Sequence, residues 1–437
     1  MSVYELLHMD CRAALANMAD DSVDSVVTDP PYHLTSIVKR FGPGQAPAQF
    51  GTDGAFARAA RGFMGQTWDG GDIAFDPSLW AEVLRVLKPG GHVLAFSGTR
   101  TYHRMAVAVE DAGFEIRDML EWLYGSGFPK SLDISKALDK AAGVERTEVI
   151  GNSSRHGGGV AFANGAGGFN TEKAHALYAP ATDAARQWEG WGTALKPAHE
   201  PICMARKPLG AGTVAGNVLA YGTGALNIGG CRIEAAADYH ELRVTQGGDH
   251  FSIGSTVKTR GTTFEPAAGR FPANVCHDGS DAVVGAFPAE AGAAAAPSKT
   301  GSKSTANTYG KYAARSQVFH ADTGSAARFF YCAKASKRDR NEGCEDVPHV
   351  GEDGEVRWGN VHPTVKPTEL MRWLCRMVTP PGGLVFDPFT GSGSTGKAAL
   401  LEGFRFVGAE MTADYIPIAR ARLDNAVNRA VSNPTKG

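Results

Sequence analysis

Asp29-Pro30-Pro31-Tyr32 ends a strand-like run, Ser25-Val26-Val27-Thr28, and sets a carboxylate, a prolyl carbonyl and an aromatic ring side by side. Two consecutive prolines carry no amide hydrogens, so they stop a β-ladder and stiffen the backbone that holds these groups. In a parallel α/β sheet the carboxyl ends of strands are where ligands bind. Fixed acceptors and a stacking surface at that edge are the makings of a site. Four residues alone also describe an ordinary exit from strand to turn, so the reading depends on a second constellation near the far end of the chain.

There an apolar strand, Leu384 to Phe386, runs into Asp387-Pro388-Phe389-Thr390-Gly391-Ser392-Gly393-Ser394-Thr395-Gly396-Lys397, and a helix pattern follows from Lys397 to Glu402. Strand, glycine loop and helix open a nucleotide-binding unit. Gly391, Gly393 and Gly396 satisfy G-x-G-x-x-G, and Glu410 ends the next strand at about the spacing of a ribose-binding acid. Any cofactor with a ribose diol fits that pattern, the nicotinamide dinucleotides included. Gly391 to Lys397 also fits most of a phosphate-binding P-loop. Ala398 argues against it, because a P-loop needs a Ser or Thr hydroxyl there for magnesium.

Two further segments complete the set. His362-Pro363-Thr364-Val365-Lys366-Pro367 precedes an amphipathic helix with Leu370, Leu374 and Met377 on one side. At the N-terminus, Leu6 to Cys11 reads as a short strand ending near Asp10. Taken singly these are a helix start with proline in its first turn and a surface aspartate at a turn.

Together, DPPY, DPFTGSGSTG and HPTVKP resemble the DNA amino-methyltransferases, which methylate exocyclic nitrogens of bases using S-adenosylmethionine. With the catalytic motif first and the glycine loop last, the circularly permuted order resembles the β group of that family. The resemblance implies a Rossmann-like S-adenosylmethionine-dependent methyltransferase sheet. It gives catalysis to Asp29, Pro30, Pro31 and Tyr32, with Asp29 also beside the cofactor. It assigns the adenine side of the cofactor to Asp10, the ribose to Glu410, and the methionine end to His362, Thr364, Lys366 and Pro367. Asp387, Phe389, Gly391, Ser392, Gly393 and Ser394 form the cofactor loop. Aspartate at the first motif position resembles the adenine-N6 enzymes; the cytosine-N4 enzymes more often carry serine, and the alternatives are a cytosine-N4 enzyme and, behind it, a non-catalytic DNA-binding relative, against which the intact acid, prolines, tyrosine and cofactor loop argue. The implied partners are double-stranded DNA and a second copy of the chain, since the β group often forms homodimers. The likeness covers about residues 1–140 and 358–425. In the middle, Trp122 to Ser131, Trp191 to Ile202 and Ala327 to Arg340 resemble a subset of phage-like and bacterial relatives, without individual roles for their residues.

Composition bounds the rest. A chain of 437 residues with 43% apolar content suits a sizeable core. No run approaches the roughly 18 apolar residues of a membrane span, and MSVYELLHMD is acidic where a signal peptide is basic and then apolar. The expectation is a soluble, cytoplasmic protein. Seven scattered cysteines without C-x-x-C and thirteen histidines without ligand spacing predict neither a metal site nor a disulfide framework. Net charge is −2, yet residues 258–340 hold twelve bases against six acids. That local excess is the footprint phosphate binding needs, and it makes Lys334, Lys337, Arg338 and Arg340 the candidate DNA contacts.

The positioning elements follow an α/β pattern. Trp80 to Leu87 has helical periodicity, Lys88-Pro89-Gly90-Gly91 stops it, and His92 to Phe96 reads as a buried strand. Short βα units predict a parallel sheet with right-handed crossovers. A Gly-, Pro- and Ala-rich loop between Pro31 and Trp68 sits beside the catalytic strand, a place for a functional lid. Stretches 151–170 and 289–308 are low in complexity. The expected organisation is 1–150 as the first part of the core, 151–345 as an inserted DNA target-recognition region, and 346–437 as the cofactor-binding remainder.

Overall fold

The computed structural model describes residues 3–32, 72–127, 131–153, 175–234, 240–243, 263–266, 269–291, 305–307, 310–312, 324–333, 336–350 and 355–432. The loop expected to act as a lid, most of both low-complexity stretches, Lys334 and the side chain of Lys337 lie outside the described residues.

One nine-stranded sheet organises the core. Its strands are β1 (Tyr4–His8), β2 (Val23–Thr28), β3 (Leu87–Phe96), β4 (Glu115–Leu123), β5 (His199–Arg206), β6 (Val275–His277), β7 (Tyr331–Cys332), β8 (Leu384–Asp387) and β9 (Arg405–Glu410). Their order across the sheet is β1-β9-β8-β2-β3-β5-β4-β6-β7. The run β1-β9-β8-β2-β3 is parallel throughout. β5 lies antiparallel to β3. All six residues of β2 are buried, the mark of a strand covered on both faces, so its sequence shows no alternation.

The helices that cover the parallel part are α1 (Cys11–Ala16), α2 (Pro77–Val86), α3 (Tyr102–Asp111), α4 (Lys337–Asn341), α5 (Thr368–Val378), α6 (Ser394–Leu401) and α7 (Ile416–Ser432). α2 starts where its sequence dictates: the Asp76 carboxylate accepts from the Ser78 amide at 2.9 Å and Pro77 opens the first turn. It then buries Leu79, Trp80, Val83 and Val86 on one stripe. Leu370, Leu374 and Met377, the expected apolar side of α5, are all buried. Asp24 fastens the sheet's middle, accepting from Lys88 on β3 at 2.6 Å and from the Leu384 amide on β8 at 2.7 Å.

The structure differs from the expected domain boundaries. β5, β6 and β7 come from the segment read as an insert, yet they extend the core sheet. Pro201 to Arg206 are buried throughout, and a strand buried on both faces gives no alternating signal; β6 and β7 are only three and two residues long. The second compact unit is residues 123–199. It contains helices Ile134–Ala141 and Asp183–Gln187 and the antiparallel pair Val149–Ser153 with His175–Tyr178. Its buried Asp139 accepts from Arg146 at 2.7 Å, from the Thr182 hydroxyl at 2.7 Å and from the Ala181 and Thr182 amides at 3.0 Å. Among the described residues, no helix is long and apolar enough to cross a membrane.

Candidate active site

The strand order locates a crevice. From β8 the chain passes through α6 to β9, on one side; from β2 it passes through α2 to β3, on the other. The direction of winding therefore reverses between β8 and β2, and ligands of open α/β sheets bind at such a reversal, beyond the carboxyl ends of the strands. DPPY follows β2 and the glycine loop follows β8. The motifs are 358 residues apart, Asp29 to Asp387, but the Thr28 hydroxyl donates to the Asp387 carboxylate at 2.7 Å. Burial pushes the Asp387 carboxyl up to about 6, opposed by Thr28, Thr395 and the Phe389 amide and reinforced by the nearby Asp29 charge.

Asp29 lies at the centre of a polar cluster. Its Oδ1 accepts from the Tyr32 hydroxyl at 2.8 Å and its Oδ2 from the Lys366 ammonium at 2.7 Å. Lys366 also lies 3.1 Å from Glu200 and donates to the Tyr32 oxygen at 3.1 Å. Its side chain is buried, with the ammonium 4.9 Å from the centre of the Phe96 ring. Burial alone would push this ammonium down, but Asp29 and Glu200 outweigh it and hold the group above the ordinary lysine range. Burial, then the two carboxylates, keep the Tyr32 phenol protonated well beyond its usual value. The Lys366 amine joins the HPTVKP segment to the catalytic strand.

The cofactor-loop residues gather at the same edge. Glu410 ends β9 beside β8; its Oε2 accepts from the Gly391 amide at 2.8 Å and its Oε1 from the Thr412 amide at 2.7 Å. Gly391 has φ +51°, and a Cβ there would fall 2.8 Å from Nε2 of His362, so side chains are excluded on two counts. Gly396, the third glycine, lies inside α6, where a Cβ would meet Leu423 and Phe406 at 2.5 Å; it lets the helix close on the sheet. Phe389 packs partly against the core. The hydroxyls of Ser392 and Ser394 turn inward to Nη1 of the buried Arg422, each at 3.0 Å, leaving the loop's contribution at the ligand edge to its backbone.

His362 is buried edge-on against Tyr415, ring centres 4.4 Å apart, with Nδ1 3.0 Å from the Thr364 carbonyl. Burial pushes its pKa down to about 3, so the ring is neutral. Pro367 is the residue before the first turn of α5. Asp10 caps α1, accepting from the Arg12 amide at 2.8 Å. The next residue before it, Met9, donates its amide to the Glu410 carbonyl at 3.1 Å, which sets Asp10 near the end of β9.

Lys397 removes the P-loop reading. Its side chain is fully buried and its ammonium binds Asp339 at 2.7 Å and Glu342 at 2.9 Å, so it has no freedom to meet a phosphate. Of the candidate DNA contacts, Arg338 is exposed. Arg340 is turned inward and donates to the His362 carbonyl at 2.5 Å, and burial pushes its pKa down. It braces the HPTVKP segment, a correction to its expected place on a DNA-facing surface. Sequence reading assigned no role to Glu200, Arg422, Asp339 or Lys397. Glu200 stood in a recognised stretch, and only its pairing with a lysine 166 residues later reveals it.

Part of the chain matches known proteins in sequence. Residues 290–421 match the N6/N4 family profile described as DNA methylase. It is similar to the DNA adenine methyltransferase YhdJ of Escherichia coli, 42% identical over 65 residues, 15% of this chain and 22% of that one. It is also similar to the type II methyltransferase M.HindIII of Haemophilus influenzae, 31% identical over 148 residues, 33% of this chain and 36% of that one. The matches thus span between a fifth and somewhat over a third of those relatives' own lengths. Among solved structures, the M1.HpyAVI complex with S-adenosylmethionine aligns over 96% of this chain and 99% of that one at 12% identity and a TM-score of 0.36.

Proposed function

We propose that this protein transfers a methyl group from S-adenosylmethionine to the N6 amino group of an adenine flipped out of double-stranded DNA. The observation that carries the reading is the meeting of DPPY with the glycine loop across β2 and β8, fastened by Thr28 on Asp387 at 2.7 Å. The crevice suits the cofactor: Glu410 offers two carboxylate oxygens for a ribose diol, and a loop with left-handed backbone at Gly391 opens onto a helix. His362, Thr364 and Pro367, in the segment that leads into α5, are assigned to its methionine end. S-adenosylmethionine, when bound, supplies a methyl group already activated on sulfur.

The amino nitrogen of adenine is a poor nucleophile because its lone pair is delocalised into the ring. The Asp29 carboxylate and the Pro30 carbonyl accept its two hydrogens and localise the lone pair as the new N–C bond forms. One proton leaves the nitrogen for each methyl gained, and Asp29 is its acceptor. Acceptors fixed in advance cost no reorganisation at that moment, so catalysis is largely positioning. Flipping a base costs a few kcal/mol. Stacking on Tyr32 returns roughly 1–3 kcal/mol, so phosphate contacts must supply most of the remaining affinity. Exposed Arg338 and the basic stretch around it are assigned to that task.

Labelled methyl transfer to duplex DNA, followed by mass spectrometry of the digested product, tests the reaction. N6-methyladenine is expected; N4-methylcytosine as the sole product would transfer the assignment to the other branch of the family. Glu410→Ala is expected to weaken cofactor affinity roughly tenfold to a hundredfold, the worth of a charged hydrogen bond. Its effect on the rate at saturating cofactor should be smaller. Unchanged affinity by calorimetry would refute the ribose assignment. The reading includes a cytoplasmic homodimer, the commonest closed assembly; a monomeric mass by light scattering at micromolar concentration would count against it.

A further inference from the structure

Asp29 meets a substrate amino group with both of its oxygens already engaged. Tyr32 occupies Oδ1 at 2.8 Å and Lys366 occupies Oδ2 at 2.7 Å. Each donor, the ammonium above all, weakens the carboxylate as an acceptor for a hydrogen of the target nitrogen, and its release would strengthen that acceptor. Moving a buried ammonium off its carboxylate is costly unless a second anion receives it. The same holds, to a lesser degree, for a buried hydroxyl.

One side chain stands ready to receive both. Oε2 of Glu200 lies 3.1 Å from the Lys366 ammonium and 3.2 Å from the Tyr32 hydroxyl. Its position follows from the sheet. β5 runs antiparallel to β3, with Phe96 opposite Ile202 and the Ser97 amide donating to the Pro201 carbonyl at 3.0 Å. An antiparallel strand begins where its parallel neighbours end, so the first residues of β5 reach the edge where DPPY lies. Glu200 is partly buried, with 19% of its side chain exposed, and faces the cluster across the Phe96 end of β3.

We propose that Glu200 is a positioning residue that takes over the Lys366 ammonium and the Tyr32 hydroxyl when Asp29 turns to the target amino group. It rests on the methyl-transfer reading above and adds a residue to it from outside the 290–421 family match. The hand-off leaves the charge of the cluster unchanged: two carboxylates and one ammonium are present before and after. It keeps Lys366 close enough to hold HPTVKP against the catalytic strand while Asp29 is relieved of its competing donors.

The test is a double-mutant cycle in the full chain with E200Q, K366M and the pair, with E200D as the conservative control. E200Q is expected to lower kcat roughly tenfold to a hundredfold, the range of coupling between directly interacting side chains. Calorimetric affinity for S-adenosylmethionine should stay within about twofold, and E200D should recover part of the loss. Because Glu200 acts through Lys366, the double variant should be no slower than K366M alone. A second readout does not need turnover: acylation of Lys366, followed by mass spectrometry across a pH series, should begin at lower pH in E200Q, since the ammonium has lost one of two counterions. A wild-type protein inert on DNA would sink the methyl-transfer reading, while the acylation series would still decide whether Glu200 governs Lys366. An active wild type with unchanged kcat in E200Q, losses that multiply in the double variant, or an unshifted acylation series would overturn the proposal.

Discussion

Asp29→Ala lowers the rate of methyl transfer by roughly a hundredfold to a thousandfold or more, the effect of deleting one preorganised group aimed at developing charge. Cofactor affinity changes little, because the contact with the amino hydrogens strengthens as the lone pair is drawn out and is therefore felt mainly in the transition state. The variant also leaves the buried Lys366 with Glu200 as its carboxylate partner in the cluster, so a folded protein is expected. Circular dichroism and calorimetric cofactor binding check the fold, and labelled methyl incorporation reads the rate. Full activity in this variant would dispose of the proposed mechanism. Tyr32→Phe should be far milder, since the ring does the stacking and its hydroxyl occupies an Asp29 oxygen.

Asp339→Ala is expected to be the most destabilising single change near the site, by roughly 3–5 kcal/mol, the cost of stranding one member of a buried ion pair. Asp339 binds the fully buried Lys397 ammonium at 2.7 Å. It also accepts from the Thr368 amide at 2.7 Å, at the start of α5, and from the Thr368 hydroxyl. The variant therefore weakens a buried charge pair and uncaps the helix behind HPTVKP together. Burial alone would raise the Asp339 pKa, but Lys397 and Thr368 outweigh it and hold it below the ordinary range. A lowered carboxyl pKa stabilises the fold above its unfolded value and loses that contribution as pH falls through the folded one. The gap between wild type and variant should accordingly be full at neutral pH and narrow in acid. Urea unfolding at both pH values measures it, and a loss below about 1 kcal/mol at neutral pH would show that Glu342, 2.9 Å from the same ammonium, suffices alone.

Much of the site was legible because its chemistry is local in sequence. Proline pairs stop a strand wherever they occur, and a strand followed by spaced glycines and a helix needs no distant partner to be recognised. Asp29, Tyr32, Gly391, Gly393 and Glu410 could be named for that reason, and the apolar side of α5 followed from its period. The insert was legible only in part. A strand buried on both faces, such as β5, loses the alternation that marks half-buried strands, so three core strands were read as part of a separate region.

The sequence by itself determined the type of each element around the crevice, the residues of both motifs and their order along the chain. Tertiary structure alone decided which charges meet. Lys366 belongs to a cofactor-side motif by sequence and to Asp29 and Glu200 by contact. Lys397 looks like a phosphate ligand and is buried in an ion pair. Arg340 sits among exposed-looking bases and points inward to His362. A charged side chain's role depends on which partners lie within a few ångströms of its tip. Those partners lie from 22 to 337 residues away along the chain, and only the tertiary fold brings them together.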